Sequence, residues 1–154
     1  MAMGMDTNQS LFRINWLIDG QLGGCPRPNT PAALTALRSA NTGLLISLTA
    51  EWQPDLTALA RNHIMSLHIP IRDFTPPSPE QAIEVCRAIE KALARNQTTI
   101  LHCAVGKGRT GTLLTAYLIW QGLNPDAAIK KARSVNPEWI ETPGQISFLE
   151  QFKR

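Results

Sequence analysis

Apolar and polar positions alternate along the chain in two periods. Short runs that repeat every second residue, or are apolar throughout, read as strands: Phe12–Ile18, Leu44–Leu48, Ile64–Ile69 and Thr98–Leu101. Longer stretches between and after them carry helix start signals. Thr30 precedes Pro31 and caps a helix to about Ala40, and 54–62 is a short helix. Ser78, Pro79 and Gln81 make a capping-box start for a helix to Arg95, with Ile83, Cys86, Ile89 and Leu93 as its apolar face. The run 110–121 is apolar on nearly every face and predicts a buried helix. Asn124-Pro125 and Thr142-Pro143 open two more. Asp19-Gly20 is a turn, residues 23–28 read as an irregular loop, and 70–79 is barred from regular structure because four of its ten residues are proline. Strands alternating with helices predict an α/β single domain, with a mainly parallel sheet of four to five strands flanked by helices. Ligands of such a sheet bind at the carboxyl ends of its strands.

Composition narrows the class. The 154 residues are 44% apolar and 18% charged, which describes one globular domain. No apolar run approaches the length of a membrane span. Residues 1–10 lack the basic head and apolar centre of a secretory signal and read as a flexible tail, leaving 11–154 as the domain. The net charge of +3 suits an anionic substrate better than nucleic acid. Three cysteines without metal-type spacing predict a reducing compartment, the cytoplasm by default. No metal or cofactor is expected, and a monomer is.

The chemistry concentrates in Thr98-Thr-Ile-Leu-His-Cys-Ala-Val-Gly-Lys-Gly-Arg-Thr-Gly111: a β-branched strand, a glycine-rich loop and the start of the buried helix. Cys103 ends the strand and Arg109 falls in the first helical turn. Successive N–H groups of such a loop form an anion-binding nest, and the helix N-terminus adds partial positive charge. A thiol set there lies in surroundings that favour its anion.

His102-Cys103, five residues, then Arg109-Thr110 matches the signature of the cysteine-dependent protein tyrosine and dual-specificity phosphatases. The chain resembles most closely the small atypical dual-specificity enzymes that consist of a catalytic domain alone. The resemblance implies a protein tyrosine phosphatase-like fold and hydrolysis of phosphotyrosine, with phosphoserine and phosphothreonine, through a phosphocysteine. Cys103 would attack phosphorus while the loop residues Ala104, Val105, Gly106, Lys107, Gly108 and Arg109 hold the phosphate oxygens. Thr110 would support the thiolate as leaving group, and His102 would order the loop without acting as a base. Asp73, in the proline-rich loop thirty residues before the cysteine, resembles the general acid. Glu141 or Gln145 would position the hydrolytic water, although Thr142-x-x-Gln145 is equally a capping box for the last helix. Asn136 stands where relatives are often basic.

Three other readings compete. Lys107 also occurs in phosphoinositide phosphatases of this fold, but their usual second lysine, directly after the cysteine, is Ala104 here; a phosphoinositide is therefore the alternative to a phosphoprotein substrate. A non-catalytic phosphate-binding interaction domain is another, though nucleophile, arginine and acid are all present. Gly106-x-Gly108-x-x-Gly111 also fits a dinucleotide fingerprint, but the acidic residue twenty positions on, Asp126, starts a helix where it should end a strand.

Overall fold

Five strands form the sheet, in the spatial order β1-β2-β5-β3-β4, in a computed structural model that describes residues 12–154. They are β1 (Asn15–Ile18), β2 (Leu22–Cys25), β3 (Thr42–Thr49), β4 (Met65–Ile71) and β5 (Thr98–His102). Only β1 runs antiparallel to its neighbour. The helices are α1 (Pro31–Ser39), α2 (Leu56–Arg61), α3 (Pro79–Ala94), α4 (Gly108–Trp120), α5 (Pro125–Val135) and α6 (Pro143–Gln151). The tail expected at 1–10 lies outside the described residues.

Period-two alternation sorts the strand side chains onto two cores. Ile46, Leu48 and Leu101 face the larger one with Val85, Ile89, Leu113, Leu114, Ala128 and Leu149 from α3–α6. Leu45 and Ile100 face the smaller one, with Leu37 of α1 and Leu59 of α2. Phe12, Ile14 and Trp16 keep the expected alternation against this second core, although the β1 ladder begins only at Asn15. All thirteen residues of α4 are buried, as its uniform apolarity requires. On α3, Cys86 and Ile89 are buried as expected. Ile83 and Leu93 sit at the core's margin, and Ala82, Val85 and Ala92 complete the face.

Two expectations fail. The segment at Gly23-Gly24-Cys25 is a fully buried strand, not an irregular loop, and it pairs in parallel with β5. Glycine is a poor strand former, but α4 crosses so closely that a Cβ on Gly24 would stand 2.5 Å from Thr110 Cγ2. Likewise β4 continues through Pro70 to Ile71. It is an edge strand, and its register with β3 shifts between the pairs Ser47–His68 and Thr49–Ile71, so Pro70 falls at an irregularity that tolerates a missing N–H. Thr30, Asp55, Ser78, Asn124 and Thr142 each accept backbone N–H bonds at a helix start, whereas α4 follows Lys107 without a side-chain cap.

Candidate active site

β5 sits at the sheet centre and delivers Cys103 at its carboxyl end, 2% exposed. The chain then turns through residues 104–107 into α4, which starts two residues earlier than expected, at Gly108. Flanking segments tie three loop carbonyls outward. Arg27 N donates to Ala104 O (3.0 Å), Trp139 Nε1 to Gly106 O (3.0 Å) and Ile140 N to Lys107 O (3.4 Å). The N–H groups of Ala104, Val105, Gly106 and Lys107 donate to no protein acceptor among the described residues. Gly106 has φ +77°, and a Cβ there would lie 2.7–2.8 Å from the main chain of Cys25 and Pro26.

Thr110 Oγ1 donates to Cys103 Sγ at 3.1 Å, both buried. His102 is wholly buried. Its Nδ1 lies 3.2 Å from the Cys103 carbonyl, which can only accept, so Nδ1 carries the proton. Burial pulls the ring pKa down to about 4, leaving it neutral, and Nε2 therefore accepts from Ser47 Oγ at 2.8 Å. Both nitrogens are occupied by structural bonds, which fits a loop-ordering residue.

The Arg109 guanidinium is 1% exposed. It reaches Glu51 through Nη1 (2.8 Å) and Nη2 (2.9 Å), donates from Nη1 to Ile71 O (2.8 Å), and lies 3.4 Å from Asp73 Oδ1. Burial is the largest single influence and opposes its charge, but the Glu51 hydrogen bonds and the negative charges of Cys103, Asp73 and Glu51 together outweigh it and raise its pKa; the Arg109 hydrogen bonds hold the Glu51 carboxyl down at about 2. Arg109 Nε is buried with no partner. Asp73 is 44% exposed; its Oδ1 also accepts from Phe74 N (2.9 Å). Thr142 Oγ1 donates to Phe74 O (3.2 Å), so the acid loop is docked on the start of α6.

Glu141 and Gln145 both approach the loop: a Cβ on Gly108 would meet Glu141 Oε1 and, at 3.2 Å, Gln145 Nε2. The two readings of Gln145 turn out compatible. Its Oε1 caps α6 by accepting from Glu141 N (2.8 Å) and Thr142 N (3.1 Å), while its buried Nε2 is partnerless. Lys107 Nζ is turned to Glu138 at 3.1 Å. Asn136 makes no approach to the loop. It bonds Asn15 and Glu138 N and shapes the turn that presents Trp139. Burial raises the thiol pKa of Cys25, and that of Cys86 to about 12, so neither competes with Cys103 as a nucleophile.

Sequence reading missed Glu51, Trp52 and Ser47. All three belong to β3 or the loop after it, at the carboxyl end of a central strand, which is the one signal that could have flagged them. No cluster of metal-ligating side chains occurs among the described residues.

A parallel sheet with a cysteine–arginine loop between its central strand and a buried helix defines a protein tyrosine phosphatase-like fold. A model of the polymorphic toxin system DSP-PTPase phosphatase family matches residues 24–123, and the chain belongs to this family of cysteine-based phosphatases. Among solved structures, Tk-PTP in its active form superposes with a TM-score of 0.83 at 28% identity, covering 91% of this chain and 95% of that one. Human DUSP28 shares the fold, with a TM-score of 0.77 at 21% identity, covering 91% of this chain and 92% of that one. Among curated relatives, the phosphatidylglycerophosphate phosphatase PTPMT2 of Arabidopsis thaliana is 33% identical over 90 residues, 57% of this chain and 40% of that protein. PTEN1 of the same plant, a phosphatidylinositol 3,4,5-trisphosphate 3-phosphatase and protein-tyrosine-phosphatase, is 28% identical over 86 residues, 53% of this chain and 21% of that protein. The chain thus spans less than half the length of these two relatives. No helix among the described residues is long and apolar enough to cross a membrane.

Proposed function

We propose that this chain hydrolyses phosphotyrosine, and with it phosphoserine and phosphothreonine, through a phosphocysteine. One observation carries the reading: donors with no protein acceptor among the described residues collect in and beside the loop that follows Cys103. They are the main-chain N–H groups of 104–107 and the buried Arg109 Nε and Gln145 Nε2. Buried polar groups are rarely left unpaired, and such a cluster is suited to a dianionic ligand above Cys103.

In the first step the Cys103 thiolate attacks phosphorus in line, and the ester P–O bond breaks. Asp73 gives its proton to the leaving oxygen. Loop amides and Arg109 hold the equatorial oxygens as charge redistributes. In the second step water attacks phosphorus and gives its proton to the Asp73 carboxylate. The S–P bond breaks, inorganic phosphate leaves, and the Thr110 hydroxyl receives the returning thiolate in its hydrogen bond. Gln145 Nε2, with Glu141 beside it, is placed to orient that water.

Two relatives carry lipid-phosphatase names, which supports a phosphoinositide as the alternative substrate. Against it, Ala104 brings no charge and Lys107 is engaged by Glu138. Cys103-dependent turnover of p-nitrophenyl phosphate, undiminished by EDTA and blocked by vanadate, is the expected result. Activity surviving in Cys103→Ser rejects the mechanism. A panel of phosphotyrosyl, phosphoseryl and phosphothreonyl peptides against inositol phospholipids decides the substrate class, and a lead for the lipids would select the alternative.

A further inference from the structure

A cleft of about 540 Å³ opens directly beside the phosphate loop, between the approach to α1 and the two residues after the nucleophile, Ala104 and Val105. Phe12, Pro26 and Val105 give it apolar walls, and Val105 is 58% exposed at its rim. Arg27 is the single ionisable residue lining it among the described residues.

Arg27 is firmly placed yet poorly neutralised. Its main-chain N–H is bonded to Ala104 O, which fixes it relative to the phosphate loop. Its guanidinium lies over the Trp52 ring, 5.2 Å from the centroid. Among the described residues its one acidic contact is Glu51 Oε2 at 3.5 Å, and that carboxylate is already gripped at both oxygens by Arg109. Arg27 Nε is buried and has no partner among the described residues. A guanidinium has five donors, so most of its capacity is unspent.

We propose that this cleft is a second substrate subsite, in which Arg27 reads the carboxylate of an acidic residue beside the phosphorylated residue of a peptide. The inference rests on the phosphatase reading above. Continuity gives the occupant's position: Ala104 and Val105 belong both to the phosphate loop and to the cleft wall, so a peptide whose phosphorylated residue enters that loop passes the mouth of the cleft. Charge fixes its kind. Among the described residues one guanidinium is the cleft's whole ionisable lining, which matches the single charge of a carboxylate and leaves the second charge of a phosphate dianion unmatched. The apolar walls suit the methylenes of a Glu side chain, whereas a polyphosphorylated ring calls for several cations.

The test uses phosphotyrosyl peptides that differ only by Glu, Gln or Lys at each of the two positions on either side of the phosphotyrosine. The wild type should prefer Glu at one position by roughly fivefold in kcat/KM, as a partly exposed ion pair allows. Arg27→Gln should bring that ratio to one, and Arg27→Glu should turn it in favour of a Lys peptide. The ratio cancels any general effect of the substitution on chemistry, and should the charge reversal fail to fold, the Arg27→Gln ratio alone decides. Turnover of p-nitrophenyl phosphate, too small to reach the cleft, separates the two levels. If Cys103-dependent turnover is absent, the phosphatase reading falls. If it is present while all wild-type ratios stay near one, or Arg27→Gln keeps the preference, the subsite alone falls. An inositol bisphosphate outcompeting every acidic peptide overturns the assigned occupant.

Discussion

The floor of this site and its rim are built differently. Cys103, His102, Arg109 and Thr110 are all at most 2% exposed, and the loop joining them is bonded on its outer side at three points, by Arg27 and by the segment Trp139-Ile140. Asp73, Glu51 and Phe74 are 44%, 42% and 60% exposed, and the acid loop is tied at only a few points. In the proposed reaction the floor holds unpaired donors around an anion, and only dry, over-determined packing keeps them from finding other partners. On the same proposal the rim trades a proton with the substrate and with water, which calls for an accessible carboxylate. Damage to the floor should therefore reach every substrate and the fold itself, whereas damage to the rim should depend on the leaving group and spare stability.

Asp73→Asn is the sharpest probe of that division. Its kcat on phenyl phosphate, a poor leaving group, should fall by about 10²–10⁴. Its kcat on p-nitrophenyl phosphate should fall much less, with an unchanged melting temperature. Equal losses on both esters would reassign the acid. Gly106→Ala attacks the floor instead. The added methyl meets main-chain atoms of Cys25 and Pro26 that cannot swing aside, in a backbone conformation that alanine resists. Displacing the loop should cost about 100-fold in kcat/KM, alike for both esters, and lower the melting temperature. A loss confined to phenyl phosphate would erase the distinction between floor and rim.

Next in size is a pH effect on the fold. His102 has its pKa depressed to about 4, so the unfolded chain takes up a proton below about 6.5 that the folded chain refuses. This contribution to stability is complete above pH 6.5, is lost as pH falls toward 4, and is constant below that. It amounts to about 3 kcal/mol over the window. Glu51, held down at about 2, acts in a separate range, below its ordinary value of 4.5, and its half-exposed side chain is screened. Urea unfolding at pH 7, 6 and 5 should show the His102 slope, and His102→Gln should remove it. A slope unchanged in that variant would mean that another group titrates.

The same division explains what could be read from the chain before folding. Cys103, Arg109 and Thr110 lie within eight consecutive residues, so the floor is local in sequence and its strand–loop–helix is written there directly. Asp73 needed its proline-rich setting to be noticed at all. Ser47 is 55 residues from His102 and Glu51 is 58 from Arg109, and parallel pairing of β3 with β5 brings them together, with Ser47 opposite His102 in the ladder. Pairing partners of a parallel strand are not encoded in local spacing. β2 was hidden for a related reason: its glycines are chosen for the close approach of α4, a tertiary demand that overrides strand propensity.

The smallest effect isolates the backbone of the rim. Phe74 has φ +65°, which is costly for a bulky residue, and its side chain is largely exposed, so packing does not repay the strain. Its main chain is what the structure uses: N–H to Asp73 Oδ1 and C=O to Thr142 Oγ1. Phe74→Ala and Phe74→Gly both remove the ring, but only glycine removes the left-handed penalty, at the expense of a looser unfolded chain. Those two terms are each about 1 kcal/mol and oppose one another. The glycine variant should therefore lie within about 1 kcal/mol of the alanine variant in urea unfolding. Its acid loop, no longer held by a restricted residue, should also deliver Asp73 less well, lowering kcat on phenyl phosphate relative to alanine. Equal rates in the two variants would show that Thr142 and Arg109 alone keep Asp73 in place, and that the rim is as over-determined as the floor.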